Sequence, residues 1–151
     1  MKISDFLLPT DVMLDVRASD KTRLLRQLST QAASEVGLDP DEVATQIARR
    51  EELGSTGVGN GVALPHARVP GLKAPFGLLA RLRHAIDFEA IDDQPVDIVF
   101  LVLLPQTPDG ERLNALACVA RTLREPEALR HVRRATDQQS LFHSITDFSA
   151  T

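Results

Sequence analysis

Residues 50–68 of this 151-residue chain read REELGSTGVGNGVALPHAR and hold most of the side chains able to do chemistry. His66 comes directly after a run of glycines and Pro65. Imidazole is nucleophilic near neutral pH and can carry a phosphoryl group covalently. On position alone two readings stand: a nucleophile open to a partner, or a solvated loop histidine. Glycines 54, 57, 59 and 61 let the backbone approach a ligand and turn its N–H groups inward, which suits phosphate; a merely flexible turn explains them too. The run is not a Walker A loop, which would end in Gly-Lys-Ser/Thr. Nor does it open a helix as a dinucleotide fingerprint does, because it leads into Val62, Ala63, Leu64 and Pro65. Arg50 continues the helical stripe of Val43 and Ile47. It either complements the helix dipole and snorkels to water, or points at an anion beside the glycines.

Other chemistries fit less well. Gly54-Ser55-Thr56-Gly57 lacks the Gly-x-Ser-x-Gly spacing of a hydrolase elbow. His84, His131 and His143 form no pair at helical metal-ligand spacing, and Cys118 is alone, so no metal is expected. Arginines 112, 121, 124, 130, 133 and 134 interleave with glutamates and read as a solvated helix face. Arg112 is the exception: it lies in the first turn of its helix, where the dipole opposes a cation, which favours an anion site.

The elements that must position these residues alternate along the chain. A strand is expected over 12–16. A helix follows from Ser19-Asp20 to a C-cap at Gly37, with Leu24, Leu25, Leu28, Ala32 and Val36 inward. Asp39-Pro40 caps and starts the next helix. Residues 53–61 read as a loop and 62–64 as a short strand ended by Pro65 and His66. Strands over 76–82 and 96–104 flank a turn at 92–95, and the second is apolar nearly throughout, as a strand buried on both faces should be. Helices follow over 111–124, with Leu113, Leu116, Ala120 and Leu123 inward, then from Pro126, then from a Thr136-x-x-Gln139 capping box. The class is α/β or α+β, in one domain.

Composition narrows the functions. Seventeen Lys and Arg against 21 Asp and Glu give a net charge of −4, which argues against a nucleic-acid binder working through bulk charge. Hydrophobic residues at 43% and charged residues at 25% are globular values. No apolar run approaches the ~20 residues of a spanning helix, so no membrane insertion is expected. A single cysteine suits a reducing cytoplasm.

The stretch GSTGVGNGVALPHAR resembles the phosphohistidine motif of the mannitol/fructose-type IIA proteins of the bacterial phosphoenolpyruvate phosphotransferase system, and most resembles the stand-alone nitrogen-regulatory members. The likeness runs through the Asp-Phe-Leu-Leu start, Arg50-Glu51-Glu52, the segment 88–97 and Leu113-x-x-Leu116, which implies that residues 1–151 form a single IIA (type 2) domain. It implies a mixed five-stranded sheet flanked by helices on both sides. It implies that His66 accepts the phosphoryl group, that Arg50 stabilises it, and that an HPr-like phosphocarrier delivers it, charged indirectly by enzyme I. Ser55, Thr56 and Gly57 are then expected to bind the phosphate, with no cofactor. Val58, Val62 and Leu64 would form an apolar docking rim. Arg112 stands where the family has a second histidine, replacing a neutral donor with a permanent cation. Two alternatives remain: a sugar-transport IIA subunit passing phosphate to a IIB cysteine, and an interaction module that takes no phosphate. A homodimer is compatible with the sequence.

Overall fold

The computed structural model describes residues 1–106 and 110–149; the side chains of 110–113 and 149 are outside the described set. The chain begins with two short 3-10 turns, Ile3–Asp5 and Pro9–Asp11, and the strand β1 (Val12–Val16). Helix α1 (Lys21–Val36) starts at Asp20, whose carboxylate accepts from the Arg23 N–H at 2.8 Å. It stops at Gly37, a left-handed residue with φ of 70° that costs glycine nothing sterically. Helix α2 (Pro40–Glu52) has Asp39 as N-cap and proline in its first turn. Both starts and the stop agree with the sequence reading.

Six strands form one mixed sheet. β2 (Gly57–Gly59), β3 (Val62–Ala63) and β4 (His66–Val69) follow α2, then β5 (Phe76–Ile86) and β6 (Val96–Pro105). The order is β1-β5-β6-β3-β2, with β4 also paired to β6. β3 matches Val62 and Ala63 to Ile98 and Val99, while β4 matches residues 66–69 to 102–105, both parallel. The two short strands therefore lie end to end along one edge of β6, and β5 runs antiparallel along the other. The sheet is five strands wide, with β4 as the sixth strand. Pro65 ends one strand as expected, but a new one begins at His66; the loop reading of 57–59 is likewise replaced by a strand.

Each face of the sheet carries its own core. Val99, Leu101 and Leu103 of β6 pack with α1 and α2, whereas Ile98, Phe100, Val102 and Leu104 pack with the C-terminal helices. Those helices are α3 (Gly110–Leu123), α4 (Pro126–Arg134) and α5 (Gln138–Ser149). β6 is buried on both faces, as its apolar run requires. β1 departs from simple alternation. Its register slips between Met13 and Val16, and Asp15 has a φ of 53°. That bulge puts Val12 and Val16 in opposite cores, although both are even positions. The capping box expected at Thr136 moves by one residue: Asp137 accepts from the Ser140 N–H at 2.7 Å, and Ser140 Oγ accepts from Thr136 and Asp137. This bond holds the Asp137 carboxyl below the usual carboxylate range. The inward face of α3 is Ala115, Cys118, Val119 and Leu123, which leaves Leu116 and Ala120 only partly buried; Leu113 is outside the described side chains.

Gly57 is the glycine of this segment that lies against another residue's backbone. A Cβ there would sit 2.7 Å from Ala90 Cβ and 2.9 Å from Ala90 Cα, so the backbone at residue 90 would have to shift. Gly57→Ala is expected to cost about 1–3 kcal/mol by overpacking. Urea melts check this, and Ala90→Gly in the same chain should restore part of the loss.

Candidate active site

Helix α2 ends at the site. The Leu53 N–H bonds back to the Arg50 carbonyl and the Gly54 N–H to the Glu51 carbonyl, each at 3.2 Å. This closure brings Gly54 O to Arg50, whose Nη1 donates to it at 3.1 Å. The guanidinium is thus held at the helix C-terminus with other donors open. It lines a cleft of about 620 Å³ together with His66. Gln46, Arg49, Arg68 and Gln106 add polar groups to that cleft, and Leu53, Leu104 and Leu116 add apolar wall. His66 and Arg68 alternate with buried Ala67 and Val69, so both project from one side of β4.

The imidazole is oriented by one bond. His66 Nδ1 lies 2.8 Å from Leu64 O, an acceptor only, so Nδ1 carries the hydrogen and donates. The neutral ring then keeps its lone pair on Nε2. Half-burial is the largest influence on its charge and holds the imidazole below the ordinary histidine value; the Leu64 carbonyl opposes this, Arg50 reinforces it, and Glu51 opposes it. His66 is accordingly neutral at pH 7. An NMR titration should place its midpoint below about 6.5, and Arg50→Ala should raise it. The sign for stability follows. The fold prefers the neutral ring, so this contribution is complete above about 6.5 and is lost as pH falls through the lowered folded-state value.

The other expected phosphate ligands face elsewhere. Ser55 Oγ donates to Phe88 O at 2.7 Å and accepts from the Gly57 N–H at 3.1 Å. The Thr56 hydroxyl donates to Glu51 Oε1, and the Thr56 N–H donates to Glu51 Oε2 at 3.0 Å. Ser55, Thr56 and Gly57 are therefore tied into the protein and are not among the residues that line the cleft. The residues missed by the sequence reading are Arg49, Arg68, Gln46 and Gln106. The i, i+4 spacing of Gln46 and Arg50 on α2 was the available signal for one of them. Arg112 lies outside the described side chains.

The apolar rim is also relocated. Val62 and Leu64 are 1% and 7% exposed and belong to the core, whereas Leu53 stands 84% exposed at the cleft and Val58 is 54% exposed. Among the C-terminal arginines, Arg133 donates to Asn60 O at 2.6 Å and pairs with Asp97 at 3.0 Å, fastening α4 to the β2–β3 turn. Arg81 donates to the Val132 and Ala135 carbonyls at 3.0 and 2.6 Å and closes the C-terminal end of the same helix. Among the described residues no helix is long and apolar enough to cross a membrane.

The fold and site together are a mixed sheet between two helical layers, with one oriented imidazole beside guanidinium groups at its edge. The model of the family "Phosphoenolpyruvate-dependent sugar phosphotransferase system, EIIA 2" matches residues 5–148, and the chain belongs to that family. Within it, the chain is 39% identical to the nitrogen regulatory protein of Bradyrhizobium diazoefficiens over 142 residues, covering 94% of this chain and 93% of that one. The crystal structure of nitrogen regulatory protein IIA-Ntr from Neisseria meningitidis superposes with a TM-score of 0.90 at 30% identity, covering 95% of this chain and 99% of that one. IIA mannitol from Escherichia coli has the same fold at a TM-score of 0.72 and 17% identity, covering 89% and 95%. The similarity is thus greater to the nitrogen-regulatory proteins than to this sugar-specific one, as the sequence motif implied.

Proposed function

We propose that the chain is a regulatory phosphocarrier of the nitrogen branch, taking a phosphoryl group on Nε2 of His66 from the phosphohistidine of an HPr-like protein. The observation that carries this reading is the 2.8 Å bond between Nδ1 and Leu64 O, which leaves Nε2 as the nucleophile in a cleft shared with Arg50.

The chemistry follows from that geometry. The Nε2 lone pair attacks phosphorus as the bond to the carrier's nitrogen breaks, and the electron pair of that bond returns to the carrier's ring. Nδ1 keeps its proton, so the His66 ring becomes cationic while it bears the phosphoryl group, and Leu64 O stabilises that charge. With the carrier's phosphohistidine ring likewise protonated on its second nitrogen, it departs as a neutral imidazole and no proton need move between the proteins. Arg50 faces the anionic phosphoryl oxygens with a fixed donor fork. Arg49 and Arg68 add positive potential at the same cleft. The transfer is then positioning plus electrostatic stabilisation, with no turnover by this chain alone. The cationic ring also favours onward transfer, because it departs as a neutral imidazole. Leu53 at the mouth offers an apolar contact for the carrier. Regulatory targets would then read the charge at this cleft, and enzyme I would act only through the carrier.

The test is phosphoenolpyruvate-dependent phosphorylation with enzyme I and HPr-like carrier from the nitrogen branch, run beside the sugar-branch pair. Intact mass and acid lability identify phosphohistidine, and fragmentation under neutral conditions locates it. Phosphate on His66, delivered faster by the nitrogen pair, is the expected result. Faster transfer from the sugar pair would favour a transporter subunit, and no phosphate from either would leave an interaction module.

A further inference from the structure

We infer that Glu51 is a positioning residue for His66, acting through Thr56 and Leu64 to fix which imidazole nitrogen is the nucleophile; the inference rests on the reading of His66 as phosphoryl acceptor.

Glu51 is 9% exposed, and a carboxylate so placed is costly unless paired and hydrogen-bonded. Here both oxygens are engaged. Oε2 meets Lys21 Nζ at 2.8 Å and accepts from the Thr56 N–H at 3.0 Å, while Oε1 accepts from the Thr56 hydroxyl. Lys21 is itself held over the Phe88 ring, 4.6 Å from its centroid, and lies 3.7 Å from Glu89. One residue is thereby gripped at both its backbone and its side chain.

What Thr56 does next gives the grip its consequence. Its carbonyl accepts from the Leu64 N–H at 2.9 Å, and the Leu64 carbonyl accepts from His66 Nδ1 at 2.8 Å. Lys21, Glu51, Thr56, Leu64 and His66 form one unbroken series of contacts ending on the ring. The carboxylate fixes Thr56 at its N–H and hydroxyl, the Thr56 carbonyl sets the height of Leu64, and Leu64 O selects the tautomer. The segment has other anchors: Ser55 to Phe88 O, and the β2–β3 pairing of Gly57 with Ala63. Loss of Glu51 should therefore loosen the peptide without dissolving the strands.

The full-length chain tests this with two variants, Glu51→Gln and Thr56→Val. Thr56→Val keeps the side chain's shape and removes its hydroxyl. Side-chain nitrogen shifts of His66, read by NMR above its titration, should show a single Nδ1-protonated tautomer in the wild type. Both variants should show a mixture, with the initial rate of phosphoryl transfer lowered about tenfold to a hundredfold. Thr56→Ser should restore both readouts. A merely structural role would lower the melting temperature and leave the tautomer unchanged. An unchanged single tautomer in Glu51→Gln overturns the inference. Should that variant fail to fold, an unchanged tautomer in Thr56→Val does so. Failure of the wild type to accept phosphate would overturn the carrier reading instead, and the tautomer comparison would still decide the role of Glu51.

Discussion

His66→Ala protein incubated with phosphoenolpyruvate, enzyme I and an HPr-like carrier is expected to gain no acid-labile phosphate, under conditions that load the wild type fully. The effect is total because no other described cleft residue offers a neutral ring nitrogen: the remaining polar groups are arginines, which stay protonated at neutral pH, and glutamine amides, which are poor nucleophiles. His66 sits at the first position of β4 and is only half-buried, with one hydrogen bond to Leu64 O. Its removal should cost about 0.5–1.5 kcal/mol of stability. A thermal melt close to wild type, beside a null phosphorylation result, would locate the loss in chemistry and not in folding. Acid-labile phosphate on His66→Ala would move the acceptor to another histidine.

Arg50→Ala is expected to slow phosphoryl transfer by about 10²–10³-fold, the usual result of removing one preorganised donor from a developing anion. The guanidinium is preorganised because Gly54 O holds it, so little ordering is left for the moment of transfer. Lysine carries the charge without the planar fork, so Arg50→Lys should recover only part of the rate. Two further readouts separate this effect from a general disturbance. Removing Arg50 should raise the pKa of His66, because the cation disfavours ring protonation. It should also weaken the salt dependence of transfer, since one positive charge at the cleft is gone. A wild-type rate in Arg50→Ala would reduce Arg50 to a helix terminator and shift the phosphate contact to Arg49 or Arg68.

Much of this architecture was legible because its signals are local. Asp20 and Asp39 were readable as N-caps and Gly37 as a C-cap, since each acts within a few residues of itself. The apolar run of β6 announced a strand covered on both faces. His66 and Arg50 were legible as candidates from their residue types and neighbours, and as a pair only through the resemblance of the surrounding motif. What escaped depends on partners distant in sequence. Ser55 and Thr56 were natural phosphate ligands by type, yet Phe88 O and Glu51 claim their hydroxyls. Gly57–Gly59 became a strand because Val62 and Ala63 fold back on it, a pairing that glycine composition hides. Asp15 gave no hint of a bulge, because the reason lies in the neighbouring β5 register. Leu116 shares a helix face with Ala120 and Leu123 by spacing, and it is only partly buried, standing in the wall of the cleft.

The short strand β4 has a further consequence. It pairs with β6 on one side, and no described strand pairs with its other side. A bare strand edge invites other chains to add to it, which is the geometry of aggregation. Here the edge is only four residues long and bears an exposed arginine at 68 and an imidazole at 66. The groups that make the cleft suited to an anion also make the edge a poor template for another strand. Phosphate on His66 would add charge and bulk to that same edge. If His66 carries the phosphoryl group as proposed, the chemistry and the guard against misassembly occupy the same four residues, and a substitution such as Arg68→Val bears on solubility as well as on transfer.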